Sequence, residues 1–320
     1  MDVFPGHLSL SRPLRQPAVA IGNFDGVHLG HQRLLARARA AAQTLAGEAV
    51  VLTFEPHPAK VLAPQLAPPL LVTPARKLEL IAAQGIDACV VEPFTGELAS
   101  SSPEWFSDQL LARSLGARHI VVGYDFTYGQ KRAGNVDSLR AAGKRLGFEV
   151  EVVTAVSIDG LVASSTKVRE FVLEGNVVGA RMLLGRPFDV DGRVVRGAGR
   201  GRTIGVPTAN VAIDGELLPR PGVYAARVQR LGAGADTWYD AAVNLGTNPT
   251  FVQGGVLSLE AHLLDFDSDI YDERIRVAFV ARLRDERRFT SIDELVAQIK
   301  RDIDSVREAA RAAKDPGHHG

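Results

Sequence analysis

Between Gly22 and His31 the chain reads GNFDGVHLGH. Gly22, Gly26 and Gly30 let the backbone come close to an anion, and Asn23 and Asp25 add polar side chains to the same turn. His28 and His31 stand three apart, so on a helix they share one face. Two imidazoles beside a bound phosphate can donate hydrogen bonds to its oxygens as negative charge develops. The apolar run Ala18 to Ile21 before the turn reads as one buried strand, and a helical pattern runs from Val27 to about Leu45. A strand feeding a glycine-rich turn and then a helix N-terminus is an anion site, because the first-turn N–H groups have no partner inside the helix. The competing reading is a structural turn carrying two surface histidines. Asn, Asp, three Gly and two His within ten residues weigh against it.

A second strand, Ala49 to Phe54, ends in TFEPHP. Pro56 and Pro58 forbid continued pairing and hold the loop extended, so it leaves the C-terminal end of the strand, where parallel α/β sheets bind ligands. Phe54 could stack there on a flat ring, and His57 is a further candidate; a stiff loop with a solvated histidine is the alternative. Downstream, ASSTKVREF, Ala163 to Phe171, opens a helix. Its hydroxyls suit plain capping. Lys167 and Arg169 oppose the helix dipole at that end, and a phosphate would supply a reason for them.

The second half carries another glycine-rich stretch, RVVRGAGRGRTIGVPTAN, Arg193 to Asn210. Four glycines and four arginines in eighteen residues make a cationic loop, and composition alone leaves a solvated or RNA-binding loop open. Thr208 and Asn210 then place a hydroxyl and an amide oxygen two residues apart, neutral ligands of the kind Mg²⁺ accepts beside phosphate oxygens. No GxxxxGK[ST] loop occurs. In the run Leu257 to Leu263, Glu260 and His262 share one strand face, with Leu257, Leu259, Ala261 and Leu263 on the other. An exposed polar face is the plain reading of that pair.

These motifs, in this order, resemble the bacterial bifunctional riboflavin kinase/FAD synthetases, and the resemblance covers nearly the whole chain. GNFDGVHLGH resembles the HxGH signature of the nucleotidyltransferase superfamily. The resemblance implies that His28 and His31 bind the triphosphate and stabilise the transition state of adenylyl transfer, with no covalent enzyme intermediate. ASSTKVREF matches the SSTxxR motif, which implies that Ser164, Ser165, Thr166 and Arg169 complete an ATP site with Gly22, Asn23, Asp25 and Gly26. GYDFTYG, Gly123 to Gly129, makes Asp125 and Phe126 flavin-site candidates alongside Phe54 and His57; the family often has a basic residue and Phe where Thr127 and Tyr128 stand. GRGRTIGVPTAN is similar to the flavokinase loop. There Gly199, Gly201 and Arg202 would wrap phosphates, and Thr208 and Asn210 would hold the metal–nucleotide. The family often has His at the position of Arg196, and NLGTNPTF, Asn244 to Phe251, is a separate match. By the same resemblance Glu260 is the general base that takes the ribityl hydroxyl proton. The implied activity is phosphorylation of riboflavin to FMN, then adenylylation of FMN to FAD with release of pyrophosphate. ATP with Mg²⁺ is required, and flavins are substrate and product. Two rivals stay open: a flavin-responsive binding protein that has lost one chemistry, and an adenylyltransferase for another phosphorylated substrate.

The elements that must position these residues fall into two textures. Up to Leu184, strand and helix alternate, which argues a Rossmann-like parallel sheet with helices on both faces. From Phe188 short alternating runs dominate: 188–195, 223–228, 239–244, 256–264 and 274–281. They read as a small antiparallel barrel. A last helix starts at a capping box, Ser291 with Glu294. Its stripe Ile292, Leu295, Val296, Ile299, Ile303 and Val306 should pack on the barrel. Gly185 and Pro187 end the helix before the change, placing the boundary at about Arg186, with domains 1–185 and 186–320. Charge balance excludes an electrostatic case for nucleic acid or an anionic membrane, since 37 basic residues meet 37 acidic ones. Cys89 stands alone, so no disulfide framework or multi-cysteine metal site is expected. No secretory signal or membrane-spanning run is expected either, and a cytoplasmic enzyme with no membrane or nucleic-acid partner fits; a homo-oligomer is left open.

Overall fold

The computed structural model describes residues 1–197, 205–232, 237–247 and 257–314. Two compact units divide the chain, Met1–Ser165 and Thr166–Gly320.

The first unit is built on a parallel sheet of six strands: β1 (Asp2–Phe4), β2 (Ala18–Ile21), β3 (Ala49–Glu55), β4 (Ala88–Pro93), β5 (His119–Gly123) and β6 (Glu149–Val153). Their order is β1-β4-β3-β2-β5-β6. The near-continuous apolar runs of β2, β3 and β5 follow from burial on both faces. Val19, Ile21, Val50 and Leu52 face one core with Phe106, Leu110 and Leu139. Ala18, Ala20, Ala49 and Val51 face the other, beneath α1 (Leu29–Thr44) and α2 (Pro74–Ala82). The chain runs from β2 outward through β3 and β4, then returns to place β5 on the other side of β2. That reversal puts a crevice at the C-terminal ends of β2 and β5, where open α/β sheets bind ligands.

Two local expectations change. The first helix starts at Leu29 rather than Val27, because Val27 has φ 42°, outside the helical region, and His28 takes the N-cap position. The loop after β3 is not extended throughout. Pro58 opens a short helix, Pro58–Leu62, since its fixed φ and missing N–H cost nothing in a first turn.

The second unit holds a closed antiparallel barrel of β7 (Phe188–Val195), β8 (Ala209–Ile213), β9 (Gly222–Arg230), β10 (Trp238–Thr247), β11 (Leu257–Leu263) and β12 (Arg274–Arg284). The order is β7-β8-β11-β10-β9-β12, with β12 pairing back to β7. Five of the six strands match the alternating runs of the sequence. The sixth, β8, begins inside PTAN, where a loop was expected. Its residues pair with β7 on one side and β11 on the other, so tertiary pairing overrides the local turn composition.

Three helices belong to this unit or enter it. These are α5 (Ser165–Glu174), α6 (Val177–Leu184) and α7 (Ile292–Lys314); α3 (Phe106–Ser114, π-helical) and α4 (Val136–Leu146) belong to the first unit. Helix α6 packs on β7 and β12. Arg220 N donates to the Val172 carbonyl of α5 at 3.3 Å. The α/β texture therefore persists to Leu184, while the compact units part at Ser165. Helix α7 starts with Ser291 Oγ accepting from Glu294 N at 3.2 Å, and the Glu294 carboxylate turns to Thr290 instead of back to Ser291. Val306 packs fully buried with Ala225, Leu264 and Val280.

Candidate functional sites

In the first unit the expected anion turn sits at the end of β2, inside the crevice. The turn is tight and partly strained: Phe24 (φ 52°) and Val27 (φ 42°) are both buried in left-handed conformations, around Gly26 at φ 78°. Such a conformation is unfavourable for a β-branched residue and persists only where packing imposes it, as at many functional turns. Asp25 is buried, and its carboxylate accepts the Leu71 N–H at 2.9 Å. Its carbonyl accepts the Ser165 hydroxyl at 2.9 Å. Asp25 thus ties three segments together: the turn, the loop before α2 and the SST segment. The Asn23 carbonyl accepts from Thr53 Oγ1 at 3.2 Å, which fixes the turn to the end of β3.

His28 and His31 do share a face. Their rings stack at 3.6 Å between centroids, with planes 24° apart. Burial pushes the His28 imidazole down to about 4. Burial, then the neighbouring charges of His28 and Lys77, hold His31 well below the ordinary histidine range. Both rings are therefore neutral at pH 7. His28 Nδ1 faces the His31 N–H at 3.4 Å, which leaves its ring proton on Nε2. His31 Nδ1 is buried with no hydrogen-bond partner. Gly30 permits the arrangement: a β-carbon there would lie 3.0 Å from the His28 ring and 3.1 Å from the Ala163 carbonyl.

Phe54 lies near the end of β3, its ring edge-on to Phe94, and His57 follows the strand. His57 caps the short helix, its Nδ1 accepting from Ala59 N at 3.2 Å. It lines a small recess with Asn23, Asp25, Glu55 and Lys77. Lys77 also lines this recess, and sequence reasoning did not single it out. It lies on α2, buried, with its ammonium 3.4 Å from the Phe54 carbonyl and 3.5 Å from Glu55. A lysine on the buried face of an amphipathic helix, beside Leu80 and Ile81, was the available signal. Asp125 follows β5 and is exposed, and the Phe126 ring stacks on Tyr128 at 5.6 Å. Arg132 Nε donates to Thr127 Oγ1 at 2.9 Å, which puts a guanidinium where the resembled family often has a basic side chain. Thr166 and Arg169 lie on α5 in the other compact unit.

In the second unit Asn210, Glu260 and Asn244 are in register on β8, β11 and β10. Directly opposed residues of antiparallel strands project from the same face. Leu259, Ala261 and Val243 point into the barrel, so the polar row lies on its outside. That face is not bare. Helix α7 stands over part of it, leaving a half-open cavity of about 510 Å³. Thr208, Asn244, Glu260 and His262 form the polar wall, and Phe289, Ile292, Leu295 and Ile299 an apolar one. The N-terminal half of the α7 stripe, expected to pack on the barrel, therefore lines a cavity. Only its C-terminal half enters the core.

Sequence reasoning also missed the rim of this cavity. Asn244 Nδ2 donates to Glu286 at 3.3 Å, Arg284 pairs with buried Asp302 at 2.8 Å, and Arg287 lies 4.6 Å from the Phe289 ring centroid. Asn244 opens NLGTNPTF, but no motif announces Arg284, Glu286, Arg287 or Asp302. A second cavity of about 340 Å³ lies on the other side of Thr208, bordered by Val194, Phe266, Asp269, Ile270 and Tyr271. Arg196 stacks on Tyr271 at 5.1 Å. Gly199, Gly201 and Arg202, the rest of NLGTNPTF from Asn248, and the final DPGHHG lie outside the described residues.

Among the described residues no group of three or more His, Cys, Asp or Glu side chains is placed to hold a metal ion. Among them, too, no helix is long and apolar enough to cross a membrane. Thr208 and Asn210 carry the neutral side-chain oxygens that the sequence singles out. A β-carbon on Gly197 would stand 2.1 Å from the Asn210 amide nitrogen, so glycine there keeps the amide clear.

Comparison with known proteins bears on both units. The FAD synthetase family model matches residues 11–167, and the riboflavin kinase family model matches 184–310. The bifunctional riboflavin kinase/FMN adenylyltransferase of Pseudomonas fluorescens is 41% identical over 309 residues, 96% of each chain. Its namesake in Escherichia coli K12 is 38% identical, covering 96% of this chain and 97% of that one. The Haemophilus influenzae protein of the same name is 36% identical, covering 96% and 98%. A solved structure described as a macrolide-efflux protein from Streptococcus pneumoniae superposes with a TM-score of 0.84. It is 32% identical and covers 96% of this chain and 99% of that one.

Proposed function

The chain belongs to the bifunctional riboflavin kinase/FMN adenylyltransferase family, and we propose that its two glycine-rich sites divide the two reactions between them. It is an enzyme with both activities, making FMN from riboflavin and FAD from FMN. In our assignment the cavity under α7 is the kinase site. Its apolar wall of Phe289, Leu295 and Ile299 suits a flat ring system, and Glu260 stands on the polar wall beside Thr208. Glu260 accepts the proton of the ribityl hydroxyl as that oxygen attacks the γ-phosphorus, and ADP leaves. Enzymes of this kind use ATP with a divalent metal. We assign it as Mg²⁺, held by Thr208 and Asn210, where it would neutralise charge on the phosphates.

The crevice at the ends of β2 and β5 is the adenylylation site in this reading. An FMN phosphate oxygen forms the new bond to the α-phosphorus of a second ATP, and the bond to the β-phosphate oxygen breaks. The leaving pyrophosphate is met by the ring N–H groups of His28 and His31 and by the turn from Gly22 to Gly26, with Ser164 and Ser165 contributing. Neutral imidazoles suit this role, because each keeps a donor and neither competes as a counter-ion for the FMN phosphate. Phe54, His57, Asp125 and Phe126 border the flavin in our assignment. We place the enzyme in the cytoplasm, where ATP is at hand, without a nucleic-acid or membrane partner. We place the functional boundary at about Arg186, since every kinase-site residue named here follows it.

The observation that carries the kinase assignment is the in-register row Asn210–Glu260–Asn244 on the outer face of the barrel, with Glu260 and Asn244 lining the cavity. The direct test is incubation with riboflavin and MgATP, with products separated by chromatography. FMN followed by FAD is expected; neither product would overturn the reading.

A further inference from the structure

The β8–β11 ladder has its first pair at Ala209 and Ala261. Pro207, two residues before it, has no N–H with which to extend the ladder. The chain entering β8 is held here by a side chain instead. His262 Nδ1 stands 2.7 Å from the Pro207 carbonyl oxygen. A ring nitrogen that meets a carbonyl oxygen at this distance carries the hydrogen, so Nδ1 is the donor.

His262 follows Glu260 by two residues on the same strand, and both line the cavity under α7. Thr208, next to the tethered carbonyl, lines that cavity and the second one beyond it. We infer that His262 is a positioning residue of the kinase site: its hydrogen bond to Pro207 sets the Thr208 hydroxyl against Glu260. One short piece of β11 then carries both the proton acceptor and the pin for the nucleotide loop. Pro207 cannot itself donate to the ladder, and its carbonyl oxygen takes the ring N–H of His262. The inference rests on the kinase assignment above.

Three variants separate positioning from simple barrel stability. His262→Asn places an amide N–H close to where Nδ1 was, His262→Gln carries it beyond, and His262→Ala removes it. With ATP and riboflavin varied separately, His262→Ala and His262→Gln are expected to raise the KM for ATP by roughly 10-fold, the worth of one good hydrogen bond. The KM for riboflavin should stay near the parent value, and His262→Asn should recover most of the loss. FAD formation from supplied FMN should be unchanged in all three. Equal behaviour of the Asn and Gln variants would overturn the inference, as would parallel rises in both KM values or loss that follows the melting temperature. A parent enzyme that makes no FMN would instead overturn the kinase assignment itself.

Discussion

The rings of His28 and His31 lie one on the other, 3.6 Å between centroids, at the mouth of the first helix. Stacked imidazoles cannot both hold a charge cheaply, and burial already disfavours the charged form of each. In the proposed adenylylation site they act as neutral donors toward an anion. Replacing His31 by alanine should cut FMN adenylylation by roughly 100- to 1000-fold, the usual loss for one transition-state donor. Riboflavin phosphorylation should be near normal. Assaying the two steps separately checks this; FAD made at the parent rate would show a structural histidine.

The same burial links folding to pH. His28 titrates near 6.5 when unfolded and at about 4 when folded, so between those values the unfolded chain binds more protons. The stability contribution is complete above pH 6.5 and is lost as pH falls toward 4. By pH 5 the loss is about 2 kcal/mol from this residue. Thermal melts at pH 7 and pH 5 should show the first unit weakening, and His28→Asn, which keeps a capping side chain, should reduce the dependence, with buried His31 carrying the remainder. A melt of the first unit that does not change with pH would mean that His28 is protonated in the fold.

Both architectures were readable from pattern. The apolar runs of β2 and β3 and the period-2 runs of the barrel each follow from what one or two buried faces demand. The glycine-rich turn after β2 was readable too, because Gly26 takes φ 78° there. What stayed hidden was tertiary. Strand β8 looked like a loop because Pro207 and Thr208 lead into it, and its pairing comes from β7 and β11. The stripe Ile292, Leu295 and Ile299 has the spacing of core residues. Only the position of Phe289 and the polar row beneath reveals it as a cavity wall. Lys77 belongs to no motif, and its meaning depends on the ends of β2 and β3 lying beside it.

Glu260 faces Asn210 on one neighbouring strand and Asn244 on the other. Glu260→Gln keeps the shape and removes the proton acceptor. Kinase turnover should fall about 100-fold or more, with riboflavin affinity little changed. Steady-state kinetics together with a flavin-binding titration checks this. If affinity falls and turnover holds, Glu260 binds substrate and another group accepts the proton.

Thr208 lines both cavities described in the second unit. Thr208→Ala should therefore give FAD from supplied FMN at the parent rate but little FMN from riboflavin. Equal loss of the two activities would mean one shared nucleotide site, and the two-site assignment would fall.

The last prediction concerns where the chain can be cut. The kinase residues all follow Arg186, yet the compact unit that holds them begins at Thr166. Helix α6 buries Val177, Ala180, Leu183 and Leu184 and packs on β7 and β12. The α5 carbonyl of Val172 accepts from Arg220 N. Removing these helices uncovers a barrel face and deletes several fully buried apolar side chains, each contributing about 1.5–3 kcal/mol. That sum rivals the whole stability of a small domain, about 5–15 kcal/mol. A fragment of residues 166–320 should therefore melt cooperatively and phosphorylate riboflavin. It should stop at FMN, because His28 and His31 are gone. A fragment of residues 186–320 should carry the same chemistry but fold poorly, with lower soluble yield and a lower melting temperature. Purifying both and measuring melts and kinase rates side by side decides it. Equal stability would show that α5 and α6 add nothing to the barrel. A folded 166–320 fragment without kinase activity would show that the kinase site draws on the first unit.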